Sequence, residues 1–522
     1  MRKNYPYYEC RNIKNLKELL DYSIEKEPEK VAFFYSNKEK EIVSKKYIDY
    51  YNDVFYVSNY LAKNYKNTHI AIIGENSYNW LVLFLAIILS NNVAVLIDKD
   101  LDEENINKLL KISNTKNIFY SDSYCSFKKI NKMGKLIENI DEYIEEGKKI
   151  KRNITLDNDR CAAIFFTSGT TGSNKAVMLS QRNMANNIYS AASLYKPDGN
   201  VLSVLPYHHS FGLLTSVYAA FFYHSSIFIN SSLKNLMKEI KIAKPQTLFL
   251  VPLFVETFYK QIWSLARKKK ISHLLKFSIK LSNGLRYMGI DVRRKIFKSI
   301  LDEFGGKLEN IICGGAPLEK KYVKWFRCIG IQIFNGYGIT ECSPVVAVNR
   351  NHFYRDGSVG QVVRGGLIKI ENGEIAFKSD SVMLGYYNDK KSTDEVIKNG
   401  WFYTGDLGYM DNDNFLYITG RKKNIIILSN GENISPEEIE SVLGNDKGVC
   451  EVIVFSKNNK LVASIYPNEE YIGDQEYFDN LVYQYNKKMP KNRQIALVLL
   501  RTEEFPKNNN KKIVRSKVEE SL

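Results

Sequence analysis

Short apolar, β-branched runs alternate with longer amphipathic segments along most of the chain. Ile70-Ala71-Ile72-Ile73 reads as a strand, followed by a helix through Trp80. The apolar run at residues 80–89 stops at Ser90-Asn91-Asn92, too short to span a bilayer, so it reads as a buried helix before a strand at residues 93–97. The alternation continues with a strand at 162–166 and a helix from Ser180. A strand at 201–205, a helix from Gly212 and a strand at 227–230 come next. Strands and helices in this order predict an α/β fold with largely parallel sheets. After about Gly360 the texture changes to short strands and turns, at 373–377 and 415–418, which predicts a small β-rich subdomain.

From Gly420 the chain is dense in charge, with Arg421-Lys422-Lys423-Asn424 ahead of an isoleucine run. Such a run reads as a domain boundary or as an ordinary solvated linker. Ser435-Pro436-Glu437-Glu438 then opens a helix, with serine at the cap, proline at the first helical position and acid in the first turn. The predicted division is residues 1–420 and a small domain at 421–522. Residues 263–298 are basic and amphipathic, with Arg267-Lys268-Lys269-Lys270 ahead of Leu274, Leu275, Phe277, Ile279 and Leu281. The favoured reading is a solvated helix packing its apolar side on the core, and the alternative is contact with a membrane surface.

Bulk properties narrow the class. A chain of 522 residues exceeds what one core spans, and 44% hydrophobic residues suffice to fill several. Seven cysteines are scattered with no Cys-x-x-Cys pair, which argues for reduced thiols and against a disulfide framework or a zinc site. The N-terminus has no apolar signal core, so the expected location is cytoplasmic. A net charge of +16 would suit nucleotides, an acidic carrier protein or a membrane surface. No nucleic-acid-binding motif accompanies it, and lysine is abundant throughout, so nucleic acid is not an expected partner.

The chemistry concentrates first in Phe165-Phe166-Thr167-Ser168-Gly169-Thr170-Thr171-Gly172-Ser173-Asn174-Lys175, where strand residues give way to glycines, hydroxyls and one lysine. Glycines let backbone N–H groups turn toward an anion, hydroxyls add donors, and the lysine adds a mobile charge, so the run reads as a phosphate cradle or as a flexible surface turn. A Walker loop is disfavoured, because Gly169 and Gly172 are too close together and Lys175 follows no glycine.

Other candidates are weaker singly. Gly314-Gly315-Ala316-Pro317 and Asn335-Gly336-Tyr337-Gly338 each follow an apolar strand run, and two such turns would make a flat slot with Tyr337 as a face for a purine. Glu341, after Ile339-Thr340, could hold a magnesium ion carried by ATP. Asp406, in Tyr403-Thr404-Gly405-Asp406, could accept hydrogen bonds from vicinal hydroxyls, although an isolated tetrapeptide of this kind is more often a turn. His208 and His209, in Pro206-Tyr207-His208-His209-Ser210-Phe211-Gly212, lack a second Cys/His cluster that would make them a zinc site.

Taken together these motifs resemble the adenylate-forming superfamily, which comprises acyl-CoA synthetases, luciferases and nonribosomal adenylation domains. The run from Thr167 to Lys175 is similar to its phosphate loop, departing at Asn174, Ala176 and Gln181, where proline, glycine and histidine are usual. The resemblance runs essentially end to end, and Val251-Pro252-Leu253-Phe254 with Gly-Gly-Ala-Pro-Leu looks most like the medium- and long-chain fatty acyl-CoA synthetase branch. It implies a large N-terminal domain of two α/β subdomains plus a small β-rich subdomain, followed by a small mobile α+β domain.

The resemblance also implies roles. Thr167, Ser168, Gly169, Thr170, Thr171, Gly172 and Lys175 would hold the phosphates of ATP. Gly314, Gly315, Ala316, Pro317, Asn335, Gly336 and Tyr337 would hold adenine, with Asp406 and Arg421 on the ribose. Thr340 and Glu341 would be catalytic, Glu341 through Mg2+, and His209 would stand at the mouth of the carboxylate pocket. Lys423 matches the interdomain hinge and Gly431 a glycine of the thiol channel. Lys512, in Pro506-Lys507-Asn508-Asn509-Asn510-Lys511-Lys512-Ile513, falls on the catalytic lysine, although Asn508 and Lys511 replace a threonine and a glycine.

The implied reaction joins a carboxylic acid to AMP, releases pyrophosphate and passes the acyl group to a thiol, that of CoA or of the phosphopantetheine on an acidic acyl carrier protein. No acid in the histidine stretch could pair an α-ammonium, which disfavours amino-acid substrates. A nucleotide-binding pseudo-enzyme is the remaining alternative.

Overall fold

The computed structural model describes residues 6–127, 130, 132, 134–168, 174–197, 199–427, 433–458, 460–507 and 513–520. The chain divides into two compact units. One comprises residues 1–368, 377–402 and 412–416, and the other residues 369–376, 403–411 and 417–522.

The larger unit is built on two sheets. In the seven-stranded one, Cys161–Ser168, Val93–Ile97, His69–Ile73, Asn117–Tyr120 and Gly134–Leu136 lie side by side and parallel. Asn174–Ser180 and then Gly385–Tyr386 add antiparallel strands at the other edge. The second sheet runs through Val31–Ser36, Ile227–Ile229, Val201–Ser203, Thr247–Leu250, Asn310–Cys313 and Gln332–Gly338, all parallel.

The pleat sends alternate side chains to opposite faces, and the cores follow that period. Ile70 and Ile72 join one cluster with the helix Tyr78–Leu89, while Ala71 and Ile73 join another on the far face. The helix is buried nearly all round, with Ser77 Oγ accepting from the Trp80 amide at its start. At about 1.5–3 kcal/mol for each large side chain fully withdrawn from water, it is a main anchor of this unit. Leu202, Phe228, Leu248 and Ile311 pack on the outer face of the second sheet. The α/β class with largely parallel sheets is thus as the alternation of elements predicts.

Two local expectations change. Residues 335–338 continue the strand Gln332–Gly338 instead of turning after Phe334, because Val345–Val348 returns antiparallel beside them. A Cβ on Gly338 would stand 2.4 Å from the Pro344 carbonyl, so this close approach needs glycine. The helix expected from Gly212 is a π-helix over Phe211–Ala219, continued by one α-turn at Ala220–Phe222.

In the smaller unit, Val449–Lys457 pairs antiparallel with Lys460–Pro467, which pairs parallel with Ile495–Leu500. Helices Pro436–Leu443 and Gln475–Asn486 contribute Ile439, Leu443, Phe478 and Val482 to its core. Ser435 caps the first helix as expected in position but not in bonding. Its hydroxyl donates to the Thr419 carbonyl at 2.8 Å and lies 3.0 Å from Glu437.

Glu440 in that helix is largely buried. Its carboxylate meets Arg515 and accepts from the Val454 amide at 2.6 Å. Burial pushes its pKa up from 4.5 to about 7, against the opposing pull of Arg515. A raised carboxylate pKa means the folded state holds the proton more tightly, so stability is fullest below about pH 4.5 and falls as pH rises through about 7. Glu440→Gln is expected to flatten a slope worth on the order of 3 kcal/mol between about pH 5 and about pH 8. Hydrogen exchange at the Val454 amide in the full chain measures it, and an unchanged slope in the variant would remove Glu440 as its source.

None of the seven cysteines is in a disulfide. Among the described residues no helix is long and apolar enough to cross a membrane.

Candidate active site

Thr167 and Lys175 face each other across the antiparallel pair that flanks residues 169–173. Gly169, Thr170, Thr171 and Gly172 lie outside the described residues, as does the side chain of Ser168. From the second strand, Lys175 Nζ reaches to 4.5 Å from the centre of the Tyr386 ring. The Tyr386 hydroxyl donates to Glu341 Oε1 at 2.9 Å. Burial, and then the neighbouring Glu341, push the Tyr386 phenol far up, so it stays protonated and keeps donating. Glu341 is also held through its backbone, whose carbonyl accepts from the Met383 amide at 2.8 Å.

Sequence reasoning missed Tyr386. It is one of 35 tyrosines, and Leu384-Gly385-Tyr386-Tyr387 matches no phosphate- or metal-binding pattern. The strand Gly385–Tyr386 joins the edge of Asn174–Ser180, with Tyr386 opposite Val177, and this pairing is what brings the tyrosine to both Lys175 and Glu341.

Thr340 and Glu341 lie in the short 3₁₀ turn Thr340–Cys342. Thr340 Oγ1 is 3.2 Å from Ser210 Oγ, which ties this turn to the histidine segment. The His209 amide donates to the Pro206 carbonyl at 3.2 Å, and its ring centre is 4.2 Å from that of His208. The π-helix begins at once, and Gly212 permits it: a Cβ there would stand 2.3 Å from the Pro206 carbonyl.

His208 is buried with Nε2 3.4 Å from Asp98 Oδ1. Burial, then His209, hold its pKa well below the usual imidazole value, so it is neutral at pH 7. Asp98 is an acid that the histidine stretch itself lacks, supplied by another segment and already engaged by His208.

Gly314 follows the strand Asn310–Cys313, whose Cys313 sits opposite Asn335 in the parallel register. A Cβ on Gly314 would stand 3.4 Å from the Phe211 ring and 3.5 Å from the Gly336 carbonyl, so the two glycine runs and the start of the π-helix converge. Gly315 has φ +84. Ala316 and Pro317 continue the exposed bend, and Tyr337 is half-buried. Asn335 Oδ1 is buried and has no hydrogen-bond partner among the described residues. A buried acceptor left unpaired is costly, and a donor such as an exocyclic amine of a purine would satisfy it.

For a divalent cation, no cluster of three or more His, Cys, Asp or Glu residues occurs among the described residues. Glu341 therefore offers one carboxylate. That suits magnesium arriving with a nucleotide, which completes its shell with phosphate oxygens and water.

In the smaller unit, Asp406 is nearly fully buried and Arg421 Nε lies 2.7 Å from its Oδ1. The Asp406 amide donates to Thr404 Oγ1 at 3.0 Å, and that hydroxyl donates to the Ile375 carbonyl. Lys422 pairs with Glu374 at 2.6 Å, and Glu374 also accepts from the Gly405 amide. Lys423, in the turn Lys422–Asn424, has its pKa lowered by desolvation and then by Arg421 and Arg515. Gly431 and Lys512 lie outside the described residues. Just outside residues 508–512, Lys507 and Ile513 form an antiparallel bridge, and Lys507 Nζ is fixed by Glu451 at 2.6 Å and Glu504 at 2.7 Å.

Known proteins of this architecture give the arrangement a family. The AMP-binding enzyme profile matches residues 20–387 and the AMP-binding enzyme C-terminal domain profile residues 423–522. A long-chain-fatty-acid–CoA ligase of Mycobacterium bovis is 27% identical over 437 residues, covering 76% of this chain and 72% of the relative. One of Salmonella typhimurium is 32% identical over 309 residues, covering 56% of this chain and 49% of its own length. The chain thus spans about half the length of several such relatives. Among solved structures, o-succinylbenzoate CoA synthetase of Bacillus subtilis in complex with its acyl-adenylate intermediate shares the fold with a TM-score of 0.74, at 22% identity, over 96% of this chain and 97% of that one. The matched profile covers more than half of the sequence, and the chain belongs to the AMP-binding enzyme family, within the adenylate-forming superfamily.

Proposed function

We propose that the protein activates a carboxylic acid with a fatty or similarly apolar acyl group, using ATP, and transfers the acyl group to CoA. The observation that carries this reading is the chain Lys175–Tyr386–Glu341, set beside Thr340 and the histidine segment in a member of this family. The names of the relatives support the acyl class and the acceptor.

The acid is already ionised at neutral pH and needs no general base to attack the α-phosphorus of ATP. The protein's work is electrostatic. Thr167, Lys175 and the residues between them grip the departing pyrophosphate, and Glu341, oriented by Tyr386, would hold magnesium. Magnesium, when bound, neutralises charge on the phosphates. Asn335 and the glycines at 314 and 336 receive the adenine, while Asp406 and Arg421 take the ribose hydroxyls. His209 faces the carboxylate, and Lys512 adds positive charge as the adenylate forms. The C-terminal domain then turns about Lys423, and Gly431 lines the path of the thiol. Thiolate attack on the acyl carbon releases AMP and leaves a thioester.

ATP–pyrophosphate exchange over carboxylic acids of graded chain length tests the first half-reaction, with trapping by CoA or by a phosphopantetheinylated carrier protein for the second. Exchange with apolar acids and trapping by CoA is the expected result. Exchange with no acid would indicate a nucleotide-binding pseudo-enzyme, and trapping by the carrier alone would replace the CoA assignment.

A further inference from the structure

The helix Gln181–Ala192 starts directly after the strand Asn174–Ser180, which carries Lys175. Its residues Asn183, Asn186 and Asn187 stand at i, i+3 and i+4 and so share one face. Asn183 Nδ2 donates to the Asp380 carbonyl at 2.7 Å, and Asn186 Oδ1 accepts from Ser379 Oγ at 3.4 Å. Asn187 is only 2% exposed and uses its whole amide on another segment. Its Nδ2 donates to the Cys342 carbonyl at 3.0 Å and to the Val345 carbonyl at 2.8 Å, while Oδ1 accepts from the Val345 amide at 3.1 Å.

Those two segments carry the other members of the chain Lys175–Tyr386–Glu341. Cys342 closes the turn Thr340–Cys342 that contains Glu341, and Val345 opens the strand Val345–Val348. Residues 379–380 lead into the strand Gly385–Tyr386. The segments are also tied to each other, by Ser343 Oγ donating to the Ser381 carbonyl at 2.8 Å and by the Met383 amide on the Glu341 carbonyl. A side chain that gives both amide hydrogens and its oxygen to backbone groups does for a turn what a neighbouring strand would do. Leucine would fill a similar volume without desolvating an amide, so packing alone does not call for asparagine here. Three directed bonds in a buried setting fix where the turn sits.

We propose that Asn187 is a positioning residue for the metal-binding carboxylate. By holding the backbone at Cys342 and Val345 it sets where Glu341 presents its charge, and it does so from the helix that continues the Lys175 strand. The lysine of the phosphate grip and the carboxylate for magnesium are thereby built on one strand–helix unit and keep their spacing. The inference rests on the reading of Glu341 as the magnesium ligand, and it adds a residue that lies outside the phosphate, adenine and ribose motifs.

Calorimetric titration of the full chain with ATP, with and without magnesium, tests it. The parent protein is expected to bind ATP more tightly when magnesium is present. Asn187→Leu is expected to weaken binding of magnesium–ATP on the order of tenfold, the scale on which groups that orient a metal ligand act, and to leave binding of metal-free ATP within about twofold. Asn187→Ser leaves room for water to replace the lost donors, so it is expected to shift the same way by less, and it covers the case in which the leucine variant does not fold. In the Glu341→Gln background neither substitution is expected to change binding further, because Asn187 has no other route to the metal. Equal loss with and without magnesium, or a loss that persists in the Glu341→Gln background, would make Asn187 a residue of the fold alone and overturn the proposal. Parent-like binding by a folded variant would overturn it too, and would leave the reading of Glu341 intact. A parent protein indifferent to magnesium would remove Glu341 as the ligand, and the inference with it.

Discussion

Glu341→Gln is expected to slow acid-dependent ATP–pyrophosphate exchange by roughly a hundred- to a thousandfold, the scale seen when one preorganised electrostatic contact to a developing charge is removed. Glutamine keeps the shape and can still accept from the Tyr386 hydroxyl 2.9 Å away, so the turn Thr340–Cys342 stays in place. What disappears is the negative charge. The magnesium concentration needed for half-maximal rate therefore rises, while unfolding stability stays within about 1 kcal/mol of the parent. A stability loss with an unchanged magnesium requirement would make Glu341 a structural residue. Tyr386→Phe is expected to cost about tenfold, since it removes one hydrogen bond to a charged group but leaves the ring beneath Lys175. Its effect should vanish in the Glu341→Gln background, because a positioning residue acts through its partner.

Lys512→Ala is expected to separate the half-reactions. Exchange should fall by about a thousandfold, because the role proposed for Lys512 is to add a cation at the reacting phosphoryl group. Thioester formation from a supplied acyl-adenylate and CoA should change little, since no phosphoryl charge develops in that step. Lys511→Ala is the matching control and is expected to be nearly silent. If the two half-reactions fell together, Lys512 would be supporting its domain, and if the control lost exchange instead, the catalytic cation would be one residue earlier. The anchoring of Lys507 by Glu451 and Glu504, with its bridge to Ile513, gives both variants the same fixed stem.

Much of this was open to reading along the chain. Alternating strand and helix runs predict the parallel sheets because a buried strand and an amphipathic helix each advertise their burial within a few residues. Glu341 and Asp406 stand in local runs whose residue types already suggest a metal or sugar contact, whereas the run at Arg421 reads locally as a charged boundary and gains a ribose role only from the family resemblance. The bonding of Ser435 was not readable, because its hydroxyl prefers the distant Thr419 carbonyl to the helix it starts. Nor was the strand character of residues 335–338, which depends on the return of Val345–Val348.

The sequence by itself determined the class of fold, the order of its elements and the family to which the chemistry belongs, since periodicity, turn residues and short motifs are local properties. Tertiary structure alone decided that Tyr386 joins Lys175 to Glu341, which lies 45 residues before the tyrosine in sequence. It also supplied Asp98 to His208, left Asn335 Oδ1 without a partner among the described residues and turned Leu274, Phe277 and Leu281 outward. Each of these depends on which strand edges pair and which helix face finds the core. Those outcomes minimise free energy over the whole packed unit, and no window of neighbouring residues contains them.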